Sequence, residues 1–130
     1  MKPKEILVFG ATGNIGRNLI RKLTKNNYKV VAVTRNIHQR GFQLKTQANP
    51  GYLELVELKT LDEEKIKHLF NSCYICVNLI GILYEKNKGQ FYKIHKVLPT
   101  ILSKIANEKK INQFIHVSAL GVENASNSVY

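Results

Sequence analysis

A doubly wound, Rossmann-type parallel α/β sheet of about five strands, ordered 3-2-1-4-5, is the architecture this sequence predicts. Three observations carry that expectation. Short β-rich apolar runs alternate with segments of helical period. Several of the runs are almost continuously apolar, as strands covered on both faces are. A glycine-rich turn joins the first run to the first helical segment. At 130 residues and 44% hydrophobic content the chain has material for one domain, residues 1–130, with one core.

The five strand candidates are Glu5 to Gly10 (EILVFG), Lys29 to Thr34 (KVVAVT), Tyr52 to Leu58 (YLELVEL), Tyr74 to Ile80 (YICVNLI) and Gln113 to Ser118 (QFIHVS). The first, second and fourth lack polar alternation and are placed in the sheet interior. Ile15, Leu19, Ile20 and Leu23 form one helical stripe that closes at Asn26 and Asn27, residues that tolerate a left-handed cap. Asn36 to Gly51 reads as helix, then loop. Thr60 to Glu63 (TLDE) has capping-box spacing and opens a helix whose inner face is Ile66, Leu69 and Phe70. Phe91, Ile94, Leu98, Ile101, Leu102 and Ile105 share another helical face, within which Pro99 predicts a kink or local break.

Twenty Lys plus Arg against nine Asp plus Glu leave a net charge of +11. Most of the cations are Lys, scattered without a run of five, so the charge reads as a solvated basic surface, and nucleic acid is not an expected partner because no recognition motif accompanies it. Cys73 and Cys76 form a CxxC within the fourth strand; residues three apart on a strand face opposite ways, and no second pair completes a zinc site, so two structural thiols in a reducing cytoplasm are expected. MKPKEILVFG carries no long apolar region of a secretory signal, and the longest apolar stretch, Tyr74 to Leu83, is too short to cross a bilayer. His95 and His116 are expected to serve packing, and the polar loop Tyr84 to Gly89 to be solvated.

The chemistry lies in GATGNIG, Gly10 to Gly16. GxxGxxG alone is weak, but here it stands between a predicted strand and a predicted helix, the context of a dinucleotide-binding turn. Gly10 permits the tight exit, Gly13 lets backbone approach a pyrophosphate, and Gly16 lets the helix pack closely on the sheet. Amides of the helix start and its dipole then face the anion, and Thr12 and Asn14 add hydrogen bonds. At the end of the second strand, where an acid would bind ribose hydroxyls, stand Thr34, Arg35 and Asn36. A guanidinium grips a 2′-phosphate that a carboxylate would repel, so Arg35 predicts NADP over NAD, with Arg17, His38 and Arg40 as lesser candidates.

GATGNIGRNLI, the VTRN after the second strand, NLIGIL and FIHVSALGV resemble the extended and atypical short-chain dehydrogenases/reductases. Within that family the order NLIGILYE, FYKIH, FIHVSALG is most similar to the nucleotide-binding accessory subunits of respiratory complex I and their bacterial relatives, over their N-terminal part. The resemblance implies that Gly10, Thr12, Gly13, Asn14, Ile15 and Gly16 hold the pyrophosphate and Arg35 the 2′-phosphate. It implies that Asn78, Leu79, Ile80 and Gly81 line the ribose and nicotinamide side, and that Ser118 and Tyr130 stand at the catalytic positions. It also implies a protein partner in a complex I-like assembly, or self-association, and a seat at the inner face of a membrane.

Three departures from the family pattern matter. Ala119 aligns with the usual serine more naturally than Ser118 does, and an acid often found after the third strand is replaced near Lys59. The sequence ends at Tyr130, before the Lys of a YxxxK motif, and a phenol of pKa about 10 is a poor proton carrier at neutral pH. The expectation is therefore a coenzyme-binding portion of a longer architecture, its fifth strand an open edge, not catalytically complete in this chain. The alternative is an active oxidoreductase or epimerase acting on a small molecule at full length.

Overall fold

The computed structural model describes residues 4–35, 37, 42–46, 48, 51–60, 62–80 and 96–117. Its elements, in chain order, are β1 (Glu5–Phe9), α1 (Asn14–Lys25), β2 (Lys29–Thr34), α2 (Phe42–Lys45), β3 (Leu53–Glu57), α3 (Glu63–Leu69), β4 (Cys73–Asn78), α4 (Leu98–Glu108) and β5 (Gln113–His116). The strands form one sheet in the order β3-β2-β1-β4-β5, every pairing parallel. The expected fold class and strand order are both met.

Alternation along β1 divides the core. Leu7 and Phe9 point to the face covered by α3 and α4, where Ile66, Phe70, Leu98, Leu102 and Ile105 are buried. Ile6 and Val8 point to the other face with Ile20 of α1 and Leu44 of α2. The interior strands are apolar on both sides because helices cover both. β5 ends the described sheet with Ile115 and Val117 exposed.

Two local expectations are corrected. Ile15 is 61% exposed and does not join the helical stripe: Gly16, Ile20 and Thr24 occupy the inward face, with Leu19 and Leu23 half-buried beside it. Asp62, not Thr60, caps α3; its carboxylate accepts the Glu64 N–H at 2.9 Å, and Glu63 and Glu64 add negative charge to the first turn. Pro99 marks a local break, as expected: it sits in the first turn of α4, where a missing N–H costs least, directly after a π-type turn at 96–97. As expected, Asn27 ends α1 in the left-handed region, φ 67°.

The cysteines give the third correction. Glu5 pairs with Cys73 and Ile6 with Ile75, so Tyr74 is bulged out of the ladder. The bulge restores phase, and Cys73 and Cys76 both face the α3/α4 side of the sheet. Successive same-face strand positions lie about 7 Å apart, beyond the reach of a disulfide. Both thiols are free. Burial pushes the Cys73 thiol up from 9.0 to about 11 and the deeper Cys76 thiol higher still.

Raised thiol pKa values favour the neutral folded state up to the unfolded value and lose that contribution as pH climbs through the folded value. Lys29, raised by its hydrogen bond and charge pairing with Glu5, acts in the same direction above its ordinary 10.5. Melting temperature is therefore expected to hold to about pH 8.5 and fall through about pH 11. Cys73→Ala/Cys76→Val should fall less steeply in thermal melts across that range. Parallel curves for the two proteins would show that the thiols play no part.

Candidate nucleotide-binding site

The strand order reverses around β1, which has β2 on one side and β4 on the other. In such sheets a crevice opens at the carboxyl ends of the strands flanking the switch point. The glycine turn lies at that edge, directly after β1.

Each glycine has a different reason to be there. Gly10 has φ +79°, and a Cβ on it would meet Leu79 C at 2.7 Å and Ile80 N at 2.8 Å, so the exit of β4 packs on bare backbone. A Cβ on Gly16 would meet the Ala11 carbonyl oxygen at 2.6 Å, so the helix closes on its own entry turn. Gly13 differs from both. Its backbone is extended, φ −75° and ψ 174°, and a Cβ would find only the Gly10 oxygen, at 3.9 Å. The fold does not need glycine there.

Gly13 is also the N-cap of α1, and it offers no side chain to the helix's first amides. The N–H groups of Asn14, Ile15 and Gly16 precede the first intrahelical donor, Arg17, which bonds the Gly13 oxygen at 2.9 Å. No acidic residue stands in this first turn, while Lys22 and Lys25 complement the far end. An uncapped, uncompensated N-terminus of a 12-residue helix presents positive potential and donors together. Thr12 is half-buried; Gly13, Asn14 and Ile15 are exposed beside these amides. The Arg17 guanidinium donates to the Asn14 carboxamide oxygen, and the Asn18 amide donates to the Asn14 carbonyl at 2.9 Å. Asn14 is thereby held in place on the first turn.

Arg35 follows β2 directly and is exposed, next to buried Thr34. Sequence reasoning missed its neighbour Glu57, which ends β3 opposite Thr34; its carboxylate accepts the Ile37 N–H at 3.4 Å and so ties the chain leaving β2 to the third strand. On the other side, the Leu79 N–H bonds the Phe9 oxygen at 2.8 Å, placing Leu79 and Ile80 alongside Gly10. Asn78 is fully buried, its carboxamide spent on the Ile80 N–H and on His116. It therefore builds the edge through backbone placement. His116 is exposed and hydrogen-bonded, not packed as expected. Gly81, Ser118, Ala119 and Tyr130 lie outside the described residues, as do His38, Arg40, His95 and the loop from Tyr84 to Gly89.

A depression of about 650 Å³ opens at the opposite, amino edge of the sheet among Lys4, Lys29, Asn71 and Tyr74. Its cations are engaged: Lys29 pairs with Glu5 at 3.0 Å and Glu54 at 3.7 Å, and Lys4 stands 4.3 Å from the centre of the Tyr74 ring. The uncapped N-terminus of α1 stands at the other edge.

Residues 10–129 match the family model described as NAD(P)H-binding. The chain belongs to the NAD(P)H-binding family. This NAD(P)H-binding chain is 31% identical over 122 residues to the Arabidopsis thaliana mitochondrial NADH dehydrogenase [ubiquinone] 1 alpha subcomplex subunit 9, covering 93% of itself and 30% of that protein. It is 27% identical to the Mus musculus counterpart, covering 93% and 32%. It therefore spans about a third of these relatives' length. Among solved structures, a putative NAD-dependent epimerase/dehydratase from Bacillus halodurans matches with TM-score 0.71 and 26% identity, over 96% of this chain and 56% of that one. The Campylobacter jejuni UDP-Glc/GlcNAc 4-epimerase matches with TM-score 0.78 over 91% and 38%, and at 19% identity it speaks for the fold alone. The NAD(P)H-binding domain is thus related to complex I subunit 9 proteins and to epimerase/dehydratase-like ones. No helix among its described residues is long and apolar enough to cross a membrane.

Proposed function

We propose that this NAD(P)H-binding domain holds NADP(H), with the pyrophosphate on the amides from Gly10 to Gly16 and the adenosine 2′-phosphate on Arg35. The observation that carries the reading is Gly13, a glycine the fold does not require, at a helix N-terminus left without a cap. Thr12, Asn14 and Ile15 border the diphosphate, and Leu79, Ile80 and Gly81 border the ribose and nicotinamide. Ser118 and Tyr130 are the residues proposed for any proton transfer. Exposed Arg35 supports the phosphorylated coenzyme, since a fork of donors fits a phosphate dianion. The domain's relatives are subunits of NADH dehydrogenase, so we read it as a coenzyme-holding module that docks to a partner protein, peripheral to the inner face of a membrane.

Calorimetric titration of wild type and Arg35→Ala with NADPH, NADH and adenosine 2′,5′-bisphosphate tests the reading. Wild type should prefer NADPH by about tenfold to a hundredfold, the worth of one charge-assisted phosphate contact, and Arg35→Ala should lose most of that preference. Equal affinity of wild type for the two coenzymes removes the role given to Arg35. Absence of binding by either defeats the proposal.

A further inference from the structure

Asn78 is the last residue of β4 and, among the described residues, one of the few polar ones that are buried. Its orientation follows from its partners. A backbone N–H only donates, so the 3.2 Å contact with the Ile80 N–H fixes the side-chain oxygen toward Ile80. The amide nitrogen is then turned to the Nδ1 of His116 at 3.1 Å, and Nδ1 must be the unprotonated, accepting atom, with the ring proton on Nε2.

The peptide that this arrangement holds is Leu79–Ile80. Its carbonyl carbon and nitrogen are the atoms a Cβ at Gly10 would strike first, so it forms the wall against which the glycine turn rests. The ladder pairs His116 directly with Asn78, and the Val117 N–H bonds the Asn78 main-chain carbonyl oxygen at 3.1 Å, so β5 delivers the imidazole to the amide in register. The partnership is unequal. The exposed imidazole could be satisfied by water, whereas the buried Asn78 amide loses a partner it cannot replace.

We propose that His116 is a positioning residue for coenzyme binding: its Nδ1 locks Asn78, and Asn78 locks the Leu79–Ile80 peptide beside the glycine turn. The inference rests on the reading of this edge as the coenzyme site. Without the acceptor, Asn78 turns away in search of one and releases the Ile80 N–H. The wall of the turn then loosens, although no residue touching coenzyme has changed.

The test uses the full chain as wild type, His116→Leu and His116→Asn; the Asn oxygen sits at the same reach from the backbone as Nδ1 and restores the acceptor. NADPH affinity is read by fluorescence titration, amide exchange at Ile80 by NMR, and folding by thermal melts. His116→Leu should bind NADPH about tenfold more weakly, with faster exchange at Ile80, and His116→Asn should recover to within about threefold of wild type. Wild-type affinity and Ile80 protection in His116→Leu overturn the proposal, as does equal weakening in both variants, which would assign the effect to the ring and not to its acceptor. If wild type binds neither NADPH nor NADH, the coenzyme reading fails by itself and exchange decides the relay. Protection in wild type and His116→Asn but not His116→Leu then supports it, and no difference among the three overturns it.

Discussion

Gly10→Ala is expected to be the most damaging single-methyl change in the described chain. Two costs fall on one atom. A side chain at φ +79° is disfavoured by about 1 to 2 kcal/mol, and a carbon 2.7 Å from Leu79 C and 2.8 Å from Ile80 N forces the exit of β4 away from β1. Both neighbours are backbone, so no rotamer change relieves the contact, and such overpacking costs about 1 to 3 kcal/mol. The reduced freedom of the unfolded chain returns about 0.4 to 1 kcal/mol. The net loss, roughly 3 kcal/mol, is a large share of a typical domain stability and lowers the melting temperature by about 10 °C. Gly16→Ala should also destabilise, through the 2.6 Å approach to the Ala11 oxygen, but less, since its φ is not in the left-handed region. Thermal and urea melts of the two variants check the order; a Gly10→Ala protein as stable as wild type would mean that β4 does not rest on the turn.

How much of this was legible in the chain depended on how local the cause was. β2 runs from Lys29 to Thr34 in both readings because its apolar run is bounded on each side by residues that end it. β1, β3, β4 and β5 differ from expectation by one or two residues at their ends, where the neighbouring strand's reach decides pairing. The glycine turn was readable because its spacing, between a strand-like and a helix-like run, falls within one window of sequence; the contact with Leu79 and Ile80 that excludes a side chain at Gly10 does not. The bulge at Tyr74 was not, since YICVNLI has no glycine or proline to mark it, and the register arises only against β1. Thr60 has the capping-box Glu three residues on whereas Asp62 has Lys65 there, yet Asp62 caps α3, because it is the carboxylate that reaches the Glu64 amide. Glu57 with Ile37 and His116 with Asn78 join residues distant in sequence, so no window along the chain could have paired them.

Gly13→Asp separates folding from binding more sharply, because the two effects have opposite signs. The position already has the extended backbone of an N-cap, and a Cβ there meets nothing closer than 3.9 Å. An Asp side chain would accept from the first-turn amides and set its charge against a helix end that has no acid of its own. Gains of a few tenths of a kcal/mol from the cap and about 0.3 to 1 kcal/mol from the charge, or a few degrees in melting temperature, are expected. Coenzyme binding should fall at least about a hundredfold, since the carboxylate takes the donors a pyrophosphate needs and repels it, removing the worth of two charge-assisted bonds. Gly13→Ala should fold as wild type and weaken binding by a smaller factor through bulk alone. The measurement is a pair of numbers for each variant, a melting temperature without ligand and an NADPH dissociation constant. A more stable Gly13→Asp protein that still bound NADPH as wild type does would place the diphosphate elsewhere. The uncapped helix start would then be a missed stabilisation and not a binding site.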